Sequence, residues 1–507
     1  MKRTIHDVPL NRTEGDLEVR IAVEDGVVVD AWSTGTMYRG FERLLVGRGA
    51  LDGLVVTPRV CGICSTTHLL AAAKALDMIA GVAPPDDAVR LRNVTLLVEQ
   101  MQSDVRHAML MYLVDFTNAA YEQHPLYEDA VRRYAPVRGD SCREAIIETK
   151  KIIEIIAMIA GQWPHSSFIV PGGVVYKPHP TELLQCQYIL NRFQAWYERR
   201  ILGCSLEQWA EVRTGADLDA WLEADENHAE SDLGFYIRFA RSLGLDTVGG
   251  GHEHFLSYGS LDLPRETAVR GDVDATHVLR PGFARGTRVA PFAQDLIAEH
   301  VAYSWAADYD GGRHPFDGRT DPRPPHDTAR GPSSPYSWAK APRYQSAAAE
   351  TGPLAEAVIA GDPLLCDLVE NQRASAFVRE LARFTRPAAM LPVLTTWVKE
   401  LSADGGSIYE SSASIEEGLG IGLVGAARGA LGHWVKVRGA VIEQYQIVTP
   451  SAWNGSPRDG SGVRGPWEEA LVGTPIKDPG NPVEAGHVIR SFDPCLVCSV
   501  HVLRKGR

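Results

Sequence analysis

A chain of 507 residues, 45% hydrophobic and 23% charged, has ample apolar surface for a large packed core and is unlike a disordered or fibrous sequence. Its formal charge of −13 and its lack of a long basic run exclude the footprint of a nucleic-acid binder, and eight cysteines are too few for a disulfide scaffold. The opening seven residues lack the apolar core of a secretion signal, and no apolar run approaches the ~20 residues that cross a bilayer.

Residues 17–32 read as a β-hairpin: Leu17, Val19, Ile21 and Val23 alternate with polar positions, and Asp25-Gly26 supplies the turn. Asn11-Arg-Thr-Glu-Gly-Asp16 precedes it and Met37-Tyr-Arg-Gly-Phe-Glu-Arg43 follows. Each sets a carboxylate beside a glycine, a pattern that solvated acidic turns share with sites. Ser65-Thr-Thr-His68 opens an alanine- and leucine-rich helix to about residue 80, with Ser or Thr as the expected cap. Cys64 then falls at the positive end of that helix, where thiolate is favoured over thiol.

Long helices are predicted over about 88–116, 143–160 and 182–201. In the second, Ile146, Ile147, Ile152, Ile153, Ile156 and Ile159 are expected on one side, and Gly161 stops it. Between about 245 and 350, glycine pairs and Pro322, Pro324 and Pro325 mark irregular connections and short strands. Helix resumes near 353–403, and 434–438 and 442–448 read as strands. The predicted class is α+β, mainly α: a central bundle of long helices with small peripheral sheets. One domain over 1–507 is expected, with a β-rich start (1–50), a helical bundle (51–210), an irregular mixed insert (211–350) and a helical and β end (351–507) that carries a metal-binding motif.

Two stretches hold the chemistry. Arg59-Val-Cys-Gly-Ile-Cys-Ser-Thr-Thr-His68 contains Cys61, Cys64 and His68. Ser491-Phe-Asp-Pro-Cys-Leu-Val-Cys-Ser-Val-His501 contains Cys495, Cys498 and His501. Four thiolates suit zinc, nickel or an iron–sulfur cluster. Zinc ribbons keep about 15–20 residues between their pairs, whereas Cys64 and Cys495 stand 431 positions apart, which fits a zinc module poorly. Neither pair follows the first strand of a thioredoxin-like unit. The spacing predicts a buried metal centre closed by both ends of the chain.

Further stretches accompany the two motifs. They are Arg12-Thr-Glu-Gly15, Tyr38-Arg-Gly-Phe-Glu42, Gly161-Gln-Trp-Pro-His-Ser-Ser-Phe-Ile-Val-Pro-Gly-Gly173, Gly312-Arg-His-Pro-Phe-Asp-Gly318, Tyr336-Ser-Trp-Ala-Lys-Ala-Pro-Arg343, Arg428-Gly-Ala-Leu-Gly-His433 and Pro450-Ser-Ala-Trp-Asn454. Together with the cysteine pairs, this ordered set resembles the large subunit of nickel–iron hydrogenases over nearly the whole chain, and most closely the cytosolic uptake and hydrogen-sensing subgroup. The related subunit of quinone-reducing respiratory complexes lacks the four cysteines.

The resemblance implies the hydrogenase large-subunit fold and reversible splitting of dihydrogen into two protons and two electrons. It implies nickel held terminally by Cys61 and Cys495, with Cys64 and Cys498 bridging to an iron that carries two cyanides and one carbon monoxide. Arg428 would hydrogen-bond one cyanide, Pro450 and Ser451 would contact the other, and His68 would steady a bridging thiolate. Glu14 would take protons away beside a terminal cysteine, as a partly buried carboxyl with a raised pKa can. Glu42, His501 and the carbonyl near Ile447 would hold a magnesium ion.

His107 and His165 read as structural. Asp16, Ser103 and Asp104 depart from the pattern, since many relatives have histidine at the first and last of these positions and some have aspartate at the second. The remaining cysteines, Cys142, Cys186, Cys204 and Cys366, lack cluster spacing. An iron–sulfur small subunit is therefore required to take the electrons, and an acceptor such as quinone would be reached through it. Cytoplasmic placement is expected, with contact to a membrane only through partners.

The favoured function is the catalytic subunit of an uptake hydrogenase; the alternatives are a hydrogen sensor and, remotely, a zinc-stabilised interaction protein. In most relatives a protease cuts after the final motif histidine. An intact mass lacking residues 502–507 would mark that maturation here, and the full mass would mark a retained end.

Overall fold

In the computed structural model, which describes residues 3–13, 15, 17–265, 276–324, 334–403, 405–411 and 414–495, the N-terminal alternation forms an antiparallel sheet of Thr4–Leu10, Leu17–Glu24 and Val27–Gly35. The hairpin turn falls at Asp25 and Gly26, both at positive φ as a tight two-residue turn demands. One face of this sheet, with Leu17, Val19 and Ile21, shares a core with Trp467, Leu471, Val488 and Ile489 from the C-terminal helices Pro466–Leu471 and Val483–Arg490. The first and last parts of the chain are thereby one packing unit.

Most of the remaining core is the helical bundle, built from Ser65–Ala80, Asp86–Arg106, Asp140–Ile152, Glu154–Ala160, Pro180–Trp196 and Ala376–Ala403. The helix predicted over 88–116 is continuous only to Arg106. A wider π turn, His107–Tyr112, and a tighter 3₁₀ turn, Leu113–Thr117, follow it. The helix predicted over 143–160 breaks at Ile153. Its one-sided isoleucine set is corrected at Ile147, which is 53% exposed while Ile152, Ile156 and Ile159 are fully buried. Consecutive helix positions point about 100° apart, and here Ile147 falls on the side turned to solvent.

The first part of the stretch read as an irregular, mixed insert is helical. Gly215–Ala224, Glu226–Glu230 and Asp232–Ser242 are capped by Thr214, Asp225 and Ser231. From His254 onward the expected short strands appear, in small antiparallel sheets.

One strand absent from the sequence reading places the site. Glu417–Ala426 pairs with Gly429–Arg438, which pairs with Val441–Val448. The helix Ser65–Ala80 lies across the first of these strands. The contact needs glycine: a Cβ on Gly420 would stand 2.1 Å from the Ala75 carbonyl oxygen, and one on Gly422 would stand 1.8 Å from that of Ala71. Alternate glycines weaken the strand signal, and here they let the cysteine-bearing helix reach the hairpin that ends in Arg428.

Glu468 closes the seam between the two chain ends. Fully buried, it accepts hydrogen bonds from the Ser33 N–H (2.9 Å) and the Tyr336 hydroxyl (2.6 Å). Burial pushes its carboxyl from 4.5 up to about 7, against those donors and Arg458. The folded chain therefore holds a proton that the unfolded chain has already released. This group's stabilising contribution is complete below about pH 4.5 and is lost as pH rises through 7; the loss amounts to roughly 3 kcal/mol. Thermal unfolding of wild type and Glu468→Gln at pH 5 and pH 8 checks this, with a smaller fall expected in the variant; an equal fall in both would remove Glu468 as the cause.

Candidate metal centre

Cys61 and Cys64 lie in the short turn between Thr57–Arg59 and the helix Ser65–Ala80. The guanidinium of Arg39 fixes the entry to that turn by donating to the carbonyls of Val60 (2.6 Å) and Arg59 (2.8 Å). Ser65 was the expected cap, but the N-cap position is Cys64, whose side chain makes no cap bond. The helix N–H groups that were expected to favour its thiolate go elsewhere. Those of Thr66 and Thr67 donate to the Glu99 carboxylate at 2.9 and 3.0 Å.

Cys495 arrives from the opposite end of the chain, after the helix Val483–Arg490. Its backbone N–H donates to the Ser451 hydroxyl (3.1 Å), in the short helix Pro450–Asn454. The sulfurs of Cys61 and Cys495 are 3.8 Å apart, and Cys61, Cys64 and Cys495 form one buried cluster with Ile63 packed against it. Two sulfurs bonded to one tetrahedral metal at about 2.3 Å would stand about 3.8 Å apart, so the spacing of this pair fits chelation. Glu14, Asp16, Cys498, His501 and residues 502–507 lie outside the described residues.

Arg428 occupies the two-residue tip between strands Glu417–Ala426 and Gly429–Arg438. Its Nε donates to the Asp493 backbone oxygen and pairs with Asp493 Oδ1, both at 3.1 Å. His107 Nδ1 reaches the same Oδ1 at 3.0 Å, and its other nitrogen lies 3.7 Å from the fully buried Glu380. Burial works against the charge on Arg428, but Asp493, Cys495, Cys61 and Cys64 outweigh it and hold the guanidinium charged well above its usual range. Burial likewise pushes Asp493 up, and Arg428 and His107 more than reverse it, so its carboxyl stays below the ordinary carboxylate range. Arg428 Nη1 is buried and has no hydrogen-bond partner among the described residues. A cavity of about 250 Å³ reaches Arg428, Asp493, His107, Ser103 and Ile63.

The hairpin tip is held from behind. Arg386 donates to the Ala427 carbonyl (2.7 Å), to both oxygens of Asp104 (2.9 and 2.6 Å) and to Glu356 (2.9 Å). Asp104, one of the departures from the family pattern, is thus half of a buried ion pair. Burial pushes its carboxyl up, against Arg386. Sequence reasoning missed Glu380, Arg383 and Arg386. Their signal was a charged residue at every third position, 380, 383 and 386, among the apolar residues of the first half of the helix Ala376–Ala403.

His68 meets His433 (Nδ1 to Nε2, 3.1 Å), and His433 Nδ1 meets the Tyr445 hydroxyl at 2.9 Å. Burial pulls His68 down to about 4 and His433 well below its usual value, so both rings are neutral at pH 7. Glu42 is not a solvated turn residue. Its side chain is 15% exposed, 3.8 Å from Lys340, and accepts from the Thr320 hydroxyl. It also accepts from the N–H of Ile447 at 2.9 Å, where the carbonyl near that residue had been expected as a metal ligand. Lys340 is shared with Glu299 at 3.2 Å, so two carboxylates face one ammonium. His165 bonds the Pro58 carbonyl at 3.0 Å.

Thiols from both chain ends thus lie buried beside a charged guanidinium. The nickel-dependent hydrogenase family matches residues 39–125 and 237–501. The periplasmic NiFeSe hydrogenase large subunit of Desulfomicrobium baculatum is 29% identical over 98% of this chain and 94% of its own length. The uptake hydrogenase large subunit of Rhodobacter capsulatus is 29% identical over 99% and 95%. Among solved structures, the reduced Ni-Fe-Se hydrogenase from D. vulgaris Hildenborough superposes with a TM-score of 0.80 at 29% identity, covering 99% of this chain and 100% of that one. The chain belongs to the nickel-dependent hydrogenase family. It is a hydrogenase large subunit, an oxidoreductase whose family implies a nickel–iron centre.

Breaking a buried ion pair from one side strands the other charge. Asp493→Asn is therefore expected to destabilise the purified protein by roughly 3 kcal/mol in denaturant unfolding. An unchanged unfolding free energy would show that Asp493 does not carry the charge of Arg428.

Proposed function

We propose that this chain is the catalytic large subunit of an uptake hydrogenase, oxidising dihydrogen and passing the electrons to an iron–sulfur small subunit. One observation supports this reading above the others. Cys61, Cys64 and Cys495 lie buried together beneath Arg428, whose Nη1–H groups lack a partner among the described residues. A soft anionic donor set with an unused cationic hydrogen-bond donor beside it suits a thiolate-held centre with anionic ligands.

When bound, the nickel–iron centre supplies the two-electron oxidation of dihydrogen. In this reading Cys61 and Cys495 would be ligands of nickel, and Cys64 and Cys498 would be ligands of both metals. Arg428 would donate to one cyanide, and Pro450 and Ser451 would contact the other. Ser451 also fixes the Cys495 backbone. When the Tyr445 phenol donates to His433, His433 donates to His68 Nδ1. That leaves the His68 Nε2–H to steady a bridging thiolate. Glu14 takes the proton that leaves the site beside a terminal cysteine. The surplus carboxylate of the Glu42–Glu299–Lys340 group favours a divalent cation, and magnesium shared with His501 and the backbone at Ile447 is the reading here.

Electrons need a partner, because the other cysteines make only local contacts. Cys142 donates to the Met109 carbonyl, Cys366 to that of Val358, and Cys204 accepts from Trp221. Burial pushes Cys142 and Cys366 up to about 11 and Cys186 to about 12, which keeps them as thiols. An apolar groove lined by Leu51, Val170, Val175, Tyr409 and Ile415 offers a surface for the small subunit. No described helix is long and apolar enough to cross a membrane. Cytoplasmic placement, with quinone or another acceptor reached through partners, completes the proposal.

The purified heteromer should consume dihydrogen with an artificial acceptor and show infrared bands of cyanide and carbon monoxide. Glu14→Gln should keep those bands and the nickel while losing turnover. Equal activity in the variant would remove Glu14 from the proton path. Intact bands with almost no turnover in the wild type would replace the uptake enzyme with the sensor, and zinc in place of nickel would sink both.

A further inference from the structure

Glu99 sits in the helix Asp86–Arg106, is 1% exposed, and has no part in the roles assigned above. Its carboxylate collects donors from two directions. Oε1 accepts from the Thr67 N–H (3.0 Å) and hydroxyl (2.9 Å), and Oε2 accepts from the Thr66 N–H (2.9 Å) and the Trp163 indole N–H (3.0 Å). The Ser65 hydroxyl adds a longer contact at 3.5 Å. No arginine or lysine pairs with it among the described residues. A buried carboxylate is costly unless it is paired or hydrogen-bonded, and here the donors from Thr66, Thr67 and Trp163 offset that cost.

Trp163 comes from the loop 161–167, which touches the cysteine turn a second time. The His165 N–H donates to the Ser65 hydroxyl (3.3 Å), and its ring bonds the Pro58 carbonyl (3.0 Å). Gln162 braces the loop on itself through the His165 carbonyl at 2.7 Å. The turn that carries Cys61 and Cys64 is thus clasped at Pro58 on one side and at residues 65–67 on the other. A helix normally spends its N-cap side chain on its first N–H groups. Here that residue is Cys64, and Glu99 takes those donors instead.

We propose that Glu99 is a positioning residue for Cys64: it occupies the helix N–H groups, so that the sulfur keeps its electron density for the metals, and through Trp163 it locks the loop 161–167 onto the cysteine turn. This rests on the reading of Cys64 as a metal ligand. A hydrogen bond donated to a thiolate withdraws charge from it. Removal of Glu99 leaves the Thr66 and Thr67 N–H groups to turn towards the sulfur, which makes the centre easier to reduce.

The test uses the purified holoenzyme with its small subunit, as wild type, Glu99→Ala, Glu99→Gln and Trp163→Phe. Nickel and iron per chain, the thermal midpoint, the nickel electron paramagnetic resonance g-values and the potential of the centre are measured. Glu99→Ala is expected to shift the potential positively, to change the g-values and to lower kcat at least about tenfold with KM for hydrogen unchanged. Glu99→Gln, which keeps one acceptor oxygen, should restore most of each. Loss of metals from Glu99→Ala at an unchanged thermal midpoint also supports the proposal.

A fully loaded Glu99→Ala with wild-type potential and g-values overturns it. Should that variant not fold, Glu99→Gln and Trp163→Phe decide: spectra and potentials superimposable on wild type overturn the proposal, as does misfolding of all three, which makes Glu99 a purely structural carboxylate. Cys64→Ser that retains full nickel would sink the ligand reading itself, apart from any result at residue 99.

Discussion

Three thiols and a guanidinium share one buried volume, and the charge there is tolerable because of its neighbours. A lone buried charge costs several kcal/mol. Arg428 avoids that cost by facing Asp493 and the sulfurs of Cys495, Cys61 and Cys64. The carboxylate is balanced in turn by Arg428 and His107. Behind them the helix Ala376–Ala403 presents Glu380 to His107, Arg383 to the Ser491 carbonyl and Arg386 to the carbonyl of Ala427. Those last two contacts hold the backbone just before Asp493 and just before Arg428. The same charges that compensate one another therefore also fix the two segments that bear the site.

Much of this was legible in the residues. The hairpin at 17–32, the helix from Ser65 and the meeting of Cys61 and Cys64 with Cys495 were visible because period-2 alternation, helix-start residues and thiol spacing are local signals. The sequence also carried enough ordered family motifs to name the class of centre. The strand Glu417–Ala426 was not visible, because what makes it a strand is a helix carbonyl row pressed against Gly420 and Gly422. Glycine there reports on a neighbour, which no window of sequence contains. Ile147 failed for the opposite reason: an apolar side chain was taken for a core one, although its place on the helix turns it outward.

The site residues divide along the same line. Cys61, Cys64 and Cys495 stood out by the spacing of their thiols, and Arg428 only by its place in Arg428-Gly-Ala-Leu-Gly-His433. Asp493 was in plain view between Phe492 and Pro494, yet its partners, Arg428 and His107, stand 65 and more positions away. The cap at Cys64 was misread because a helix start was judged from its own residues, while the acceptor, Glu99, comes from the next helix. Buried polar residues find partners across elements, and a linear reading sees only one member of each pair.

A common device runs through Cys61, Cys64 and Cys495, the motif cysteines among the described residues. Each is fixed by a neighbour that grips its backbone or the adjoining one: Arg39 at the carbonyls of residues 59 and 60, Glu99 at the N–H groups of 66 and 67, and Ser451 at the N–H of Cys495. The gripping groups come from three different parts of the chain. Side-chain geometry at the sulfurs is then set by main-chain geometry, which is stiff, and not by rotamer preference, which is soft. In the proposed reading, where these sulfurs hold two unlike metals, that stiffness matters, since a sulfur displaced by even a fraction of an ångström would change every metal–ligand angle it shares.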